Sequence, residues 1–145
     1  MKNYICKNGV DGKILLYNNM KKHLRFDIDI NWLIQFEDIE KLKFLNKCIV
    51  RKRDHGNYDK EYYMSYINKF YYDEKFNTIY NNWIDNNYDY HLKPSVDHIL
   101  PKSKGGELFN INNVQFLTWF ENRCKTDLTQ DEWNNIKKNI NKYFI

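Results

Sequence analysis

At 145 residues with a formal net charge of +4, the chain has the length of one packed domain and leans only modestly towards anionic partners. Apolar residues at 42% and aromatics at 17% exclude a disordered tail, and no apolar run approaches the ~20 residues needed to span a bilayer. The N-terminal MKNYICKNGVDGK lacks the apolar core of a signal peptide. Cys6, Cys48 and Cys124 are widely separated and form no CxxC unit. A soluble, intracellular protein with no membrane partner is therefore expected, its cysteines serving as small buried hydrophobes.

In chain order, the turn dipeptides Asn8-Gly9 and Asp11-Gly12 precede a helix predicted over Lys13–Leu24, apolar at Leu16, Tyr17, Met20 and Leu24. Lys21, Lys22, His23 and Arg25 crowd its end, where cations are ordinary partners of the helix dipole. Trp32, Leu33 and Phe36 begin a further apolar helical stretch. From Asp38 onward, Ile39, Leu42, Leu45 and Ile49 fall on one helical face, while Lys43, Lys47 and Arg51 recur every fourth residue elsewhere. Residues 41–53 hold six basic groups and no acid, a stripe that either tracks a DNA backbone or is a solvated face. Beyond His55-Gly56-Asn57, the spacing of Tyr62, Tyr63, Tyr66, Ile67 and Phe70 predicts an aromatic helix. Its rings suit interhelix packing before base stacking. Phe76, Ile79, Tyr80 and Trp83 predict another helix, ended by Asn86-Asn87, and Pro94 bars a helix from running on through His91-Leu92-Lys93.

The stretch from Ser95 to Asp127 carries the chemistry. Ser95-Val96-Asp97-His98-Ile99 reads as a short strand stopped by Pro101, and the polar loop after it holds Lys102, Lys104 and the turn signal Gly105-Gly106. Asn113-Val114-Gln115-Phe116-Leu117 reads as a second strand. Thr118 and Glu121 have the capping-box spacing that starts a helix, which then places Asn122 and Lys125 on one face. The composition is rich in Asn, Lys, Ile and Tyr, as an AT-rich coding sequence imposes, so only asparagines at such fixed positions count.

These polar residues suit phosphodiester hydrolysis, which needs a base for water and a cation to neutralise the phosphate. His98 is the natural base, because imidazole titrates near neutral pH. Asp97 and Asn122 offer oxygen donors, which suit Mg²⁺ or Mn²⁺ better than Zn²⁺. Neighbouring strand residues point to opposite faces, so Asp97 and His98 serve one site only if the strand ends or bends there.

The stretch resembles the HNH nuclease motif, the ββα-metal (His-Me finger) fold of phage, homing, restriction and CRISPR nucleases. Asp97-His98 matches the family's opening Asp-His, Asn113 in Asn113-Val114-Gln115 its central asparagine, and Asn122-Arg123-Cys124-Lys125 its closing Asn-x-x-Lys. The resemblance covers about a quarter of the chain and rests on the ordered set of elements. It implies a ββα-metal core over residues 91–145 with a C-terminal bracing helix; with the mostly helical region that the spacing predicts over residues 1–90, a candidate DNA-contacting extension, the fold expected is α+β. The resemblance implies a metal-dependent DNA endonuclease in which His98 is the base, Asp97 and Asn122 hold Mg²⁺ or Mn²⁺, and Asn113 braces the loop. Lys125, Arg123, Lys102 and Lys104, with Lys43, Lys47 and Arg51, are candidate contacts to DNA.

Asn122 stands where many relatives carry histidine, and Thr118 and Glu121 stand where a zinc-binding cysteine pair would fall, so no structural zinc is expected. Thr129 and Glu132 form a second capping box, opening a last helix with Trp133, Ile136 and Ile140 on one face, read as a brace. Two other classes remain beside the endonuclease: a DNA-binding module with an inactive centre, and an RNA-directed nuclease. The oligomeric state stays open, although a dimer would serve double-strand cleavage.

Overall fold

Aspartates placed just ahead of the apolar runs start four helices. Asp29 caps α1 (Ile30–Leu33), Asp38 caps α2 (Ile39–Ile49), Asp59 caps α3 (Lys60–Phe70) and Asp73 caps α4 (Glu74–Asp85), each accepting a first-turn backbone N–H. The computed structural model describes residues 17–18, 26–49 and 58–144. The helix expected over Lys13–Leu24 lies outside the described residues apart from 17–18, as do Arg51, Lys52, Arg53 and His55. The chain divides into two compact units, Met1–Tyr72 and Asp73–Ile145. Among the described residues no helix is long and apolar enough to cross a membrane.

In the first unit, the apolar stretch at Trp32–Phe36 is not one helix. α1 ends at Leu33, and Phe36 sits fully buried in the link before Asp38 restarts the chain as α2. Ile39, Leu42, Leu45 and Ile49 are all buried, as their spacing predicts. α3 buries Tyr63, Tyr66, Ile67 and Phe70 and packs on α2. Tyr66 donates its hydroxyl to Leu45 O (2.7 Å) and Tyr63 to Asn46 Oδ1 (2.9 Å). Burial raises the Tyr63 phenol's pKa, so it stays a neutral donor. These tyrosines are core, as their spacing favoured.

The second unit is built on β1 (Pro94–His98) and β2 (Val114–Thr118), an antiparallel pair in the register Val96↔Phe116, Asp97↔Gln115. Two strands alone cannot bury both faces, so helices cover them. Phe116 meets the Phe76 ring of α4 at 4.7 Å between centroids, while Ser95 and Asp97 meet α5 (Trp119–Lys125). Helix α4 therefore packs with the strands, in the unit Asp73–Ile145.

Thr118 caps α5 and Thr129 caps α6 (Gln130–Lys138), but only the second forms a reciprocal box, with Glu132. The Glu121 carboxylate turns away to accept from Trp133 Nε1 and Lys137 Nζ, both at 2.8 Å, and so ties α5 to α6. Burial opposes ionisation of Glu121, yet these two donors hold its pKa below the usual range. α6 is thus fastened to α5 through Glu121 and the buried Trp133. It ends at Lys138, and Ile140 falls in a following 3₁₀ turn. Cys48 is half-buried and Cys124 exposed, so neither is the fully buried hydrophobe expected of it. The protein is accordingly α+β, with helices flanking a two-stranded antiparallel sheet.

Candidate functional site

Alternation puts Ser95 and Asp97 on one face of β1, and helical spacing puts Asn122 and Lys125 on one face of α5. The two faces meet rung on rung. Asn122 Nδ2 donates to Ser95 Oγ (2.8 Å) and Val96 O (3.0 Å). Lys125 Nζ donates to Asp97 Oδ2 (2.6 Å), His98 O (3.0 Å) and Ile99 O (3.4 Å). An ammonium has three protons, and all three find acceptors. Lys125 is 0% exposed and Asp97 is 6% exposed.

This corrects one expectation. Lys125 does not reach out to phosphate: a fully buried ammonium closes the end of β1 instead. Asp97 Oδ2 also accepts from Gln115 Nε2 (2.9 Å), its cross-strand partner, and that same nitrogen donates to Gln130 Oε1 (2.7 Å) on α6. Asp97 Oδ1 bears no hydrogen bond among the described residues. Asn122 is similar. Its amide meets a backbone carbonyl, which only accepts, so the nitrogen must face Val96 and Oδ1 faces away, with no bond among the described residues.

His98 is the last residue of β1, so the alternation that separates it from Asp97 stops there. Its Nε2 lies 2.9 Å from Leu108 O. A carbonyl accepts, so Nε2 carries a proton, and the tautomer that makes this bond has its lone pair on Nδ1. The loop that supplies Leu108 O is held by Asn113. The Asn113 side chain donates to Leu100 O (3.0 Å) and Glu107 O (2.9 Å) and accepts from Leu100 N (2.8 Å). The glycines permit this path. Gly105 adopts φ +88°, and a Cβ on Gly106 would lie 1.7 Å from Leu100 O.

Of the basic candidates, Lys104 is paired with Glu132 at 2.6 Å, and that ammonium with the Thr129 cap pulls the Glu132 pKa down to about 2. Lys102 is exposed, and Arg123 lies over the Trp119 ring at 5.2 Å. On α2, Lys43 sits 3.8 Å from Glu40 and Lys47 is exposed. Arg51 lies outside the described residues.

Among the described residues no group of three His, Cys, Asp or Glu side chains is placed to hold a metal ion. An Asp–Asn pair falls below that count, yet the two oxygens left without hydrogen bonds among the described residues are hard donors of the kind Mg²⁺ and Mn²⁺ take. Ser95, Gln115 and the Leu108 carbonyl were missed as site residues. Only strand register and loop path bring them in, and neither has a local signal in the sequence.

An open cleft of about 530 Å³ lies beside the start of α4, lined by Asp73, Glu74 and Glu121 with the single cation Lys75. Its excess of carboxylates makes it a poor seat for a phosphate. No family model matches the chain, and neither the curated proteins nor the solved structures include a detectable relative.

Proposed function

We propose that the protein is a metal-dependent endonuclease that hydrolyses DNA phosphodiester bonds, with a ββα-metal centre at the end of β1. The observation that carries the reading is the His98–Leu108 hydrogen bond, which leaves Nδ1 as an aimed base in a loop braced by Asn113. His98 Nδ1 accepts a proton from the attacking water. The ring becomes imidazolium, and its Nε2–H bond to Leu108 O strengthens as it becomes charge-assisted. The bond from phosphorus to the 3′ oxygen breaks, leaving a 5′ phosphate. Asp97 and Asn122 would hold one divalent cation, which when bound neutralises the scissile phosphate and the leaving oxygen. Lys125 fixes the Asp97 carboxylate and also offsets its charge, so cation affinity is expected to be modest.

The test is cleavage of plasmid DNA and of structured RNA across a metal series. DNA cleavage is expected with Mg²⁺ or Mn²⁺ and not with EDTA. Asn122→Ala should abolish cutting at ordinary Mg²⁺ levels, and Asn122→His should move the preference towards softer ions. Wild-type cutting that peaks with Zn²⁺, or survives EDTA, would sink this metal assignment. Cutting of RNA alone would overturn the substrate.

DNA holding has its own expected result. If the basic stripe lies on phosphates, replacing Lys43, Lys47 and Arg51 together by glutamine weakens binding to all sequences alike. The slope of log affinity against log salt then flattens by about 0.9 for each phosphate that is no longer neutralised. An unchanged slope would make the stripe a solvated face.

A further inference from the structure

We propose that Tyr90, Trp119 and Phe120, flanked by Lys93 and Arg123, form a stacking platform for the unpaired bases of a single-stranded nucleic-acid segment. The proposal rests on the nuclease reading and specifies what the same unit grips. Tyr90 and His91 stand in a 3₁₀ turn, Tyr90–Leu92, and Trp119 and Phe120 open α5. The two pieces are joined by Trp119 N donating to Lys93 O at 2.7 Å. Tyr90 meets Trp119 at 4.8 Å between centroids, and His91 meets Trp119 at 5.6 Å and Phe120 at 6.3 Å. All three contacts are edge-to-face, with interplanar angles of 63–73°. Edge-to-face packing fixes the rings without stacking them on one another.

Tyr90 and Phe120 are each 57% exposed. Cations lie against the aromatic cluster. The Arg123 guanidinium stands over the Trp119 ring at 5.2 Å and the Lys93 ammonium over the Tyr90 ring at 5.7 Å. The nearby acid, Asp89, is engaged by His91 at 3.3 Å. Exposed aromatic rings with cations against them match an occupant that has both π faces and phosphates. Bases inside a duplex present no free face, so the occupant is an unpaired stretch. Trp119 stands one helical turn before Asn122, which places this surface and the proposed centre on the same short helix.

The test is fluorescence anisotropy in EDTA, with the His98→Ala protein so that nothing is cut. The probes are a labelled oligothymidylate, an abasic strand of the same length and a duplex. Tyr90→Ala and Phe120→Ala are each expected to weaken oligothymidylate binding by about 5- to 100-fold, leaving the abasic strand unaffected. Both side chains are exposed, and an unchanged urea midpoint checks the fold of each variant. Equal losses on the abasic strand, unchanged affinity for oligothymidylate, or a wild-type preference for duplex would each overturn the platform. Cleavage plays no part in this readout. A wrong nuclease reading shows as absence of cutting in Mg²⁺ with base-dependent binding intact, and a wrong platform shows the reverse.

Discussion

Lys125→Met is expected to destabilise the protein by about 3–5 kcal/mol, because it leaves the Asp97 carboxylate buried without its cation. Against a total stability of about 5–15 kcal/mol for a typical domain, that is a large part of the margin. Methionine preserves the apolar stem, so the loss isolates the ammonium and its bonds to Asp97 Oδ2, His98 O and Ile99 O. Asp97→Asn in the same chain removes the stranded charge while Gln115 keeps a partner, and the double variant should recover a large part of the loss. Urea unfolding of the wild type, both single variants and the double variant measures the coupling. A Lys125→Met protein within about 1 kcal/mol of wild type would mean that the pair contributes no more than a surface ion pair. Lys125→Arg should not rescue, since a planar guanidinium does not fit three acceptors gathered round one nitrogen.

His98→Ala is expected to lower DNA cleavage about 10²–10⁴-fold with little change in the urea midpoint. The ring is only partly buried and, among the described residues, its hydrogen bond is to a loop carbonyl, so the fold does not hang on it. Asn113 gives the matching control. It touches Leu100 and Glu107 rather than the proposed reacting atoms, and its effect passes through the loop that carries Leu108 O. Asn113→Ala should therefore reduce cleavage in the wild type and add almost nothing to His98→Ala, because both remove the same aimed base. Cutting by His98→Ala at near the wild-type rate would remove His98 from the mechanism. Full additivity of the two changes would give Asn113 a separate role.

What could be read from the sequence about this protein was what neighbours in the chain decide. The apolar face Ile39, Leu42, Leu45 and Ile49, the caps at Thr118 and Thr129, and the order of strand, loop, strand and helix all rest on contacts within about one helical turn or one strand pleat. Asn113 could be marked as a brace from its place in an ordered set of residues. Its three hydrogen bonds then show which loop it holds. The tertiary structure decided the rest. Lys125, solvent-facing by residue type, is buried because Asp97, 28 positions earlier, needs a cation once β1 lies under α5. Glu121 has capping-box spacing, yet its carboxylate goes to Trp133 and Lys137, a charge-assisted pair of donors that only the docking of α6 supplies. Gln115 meets Asp97 because the strand register places them opposite each other, and a slip of β2 by one residue would send the Gln115 side chain to the other face.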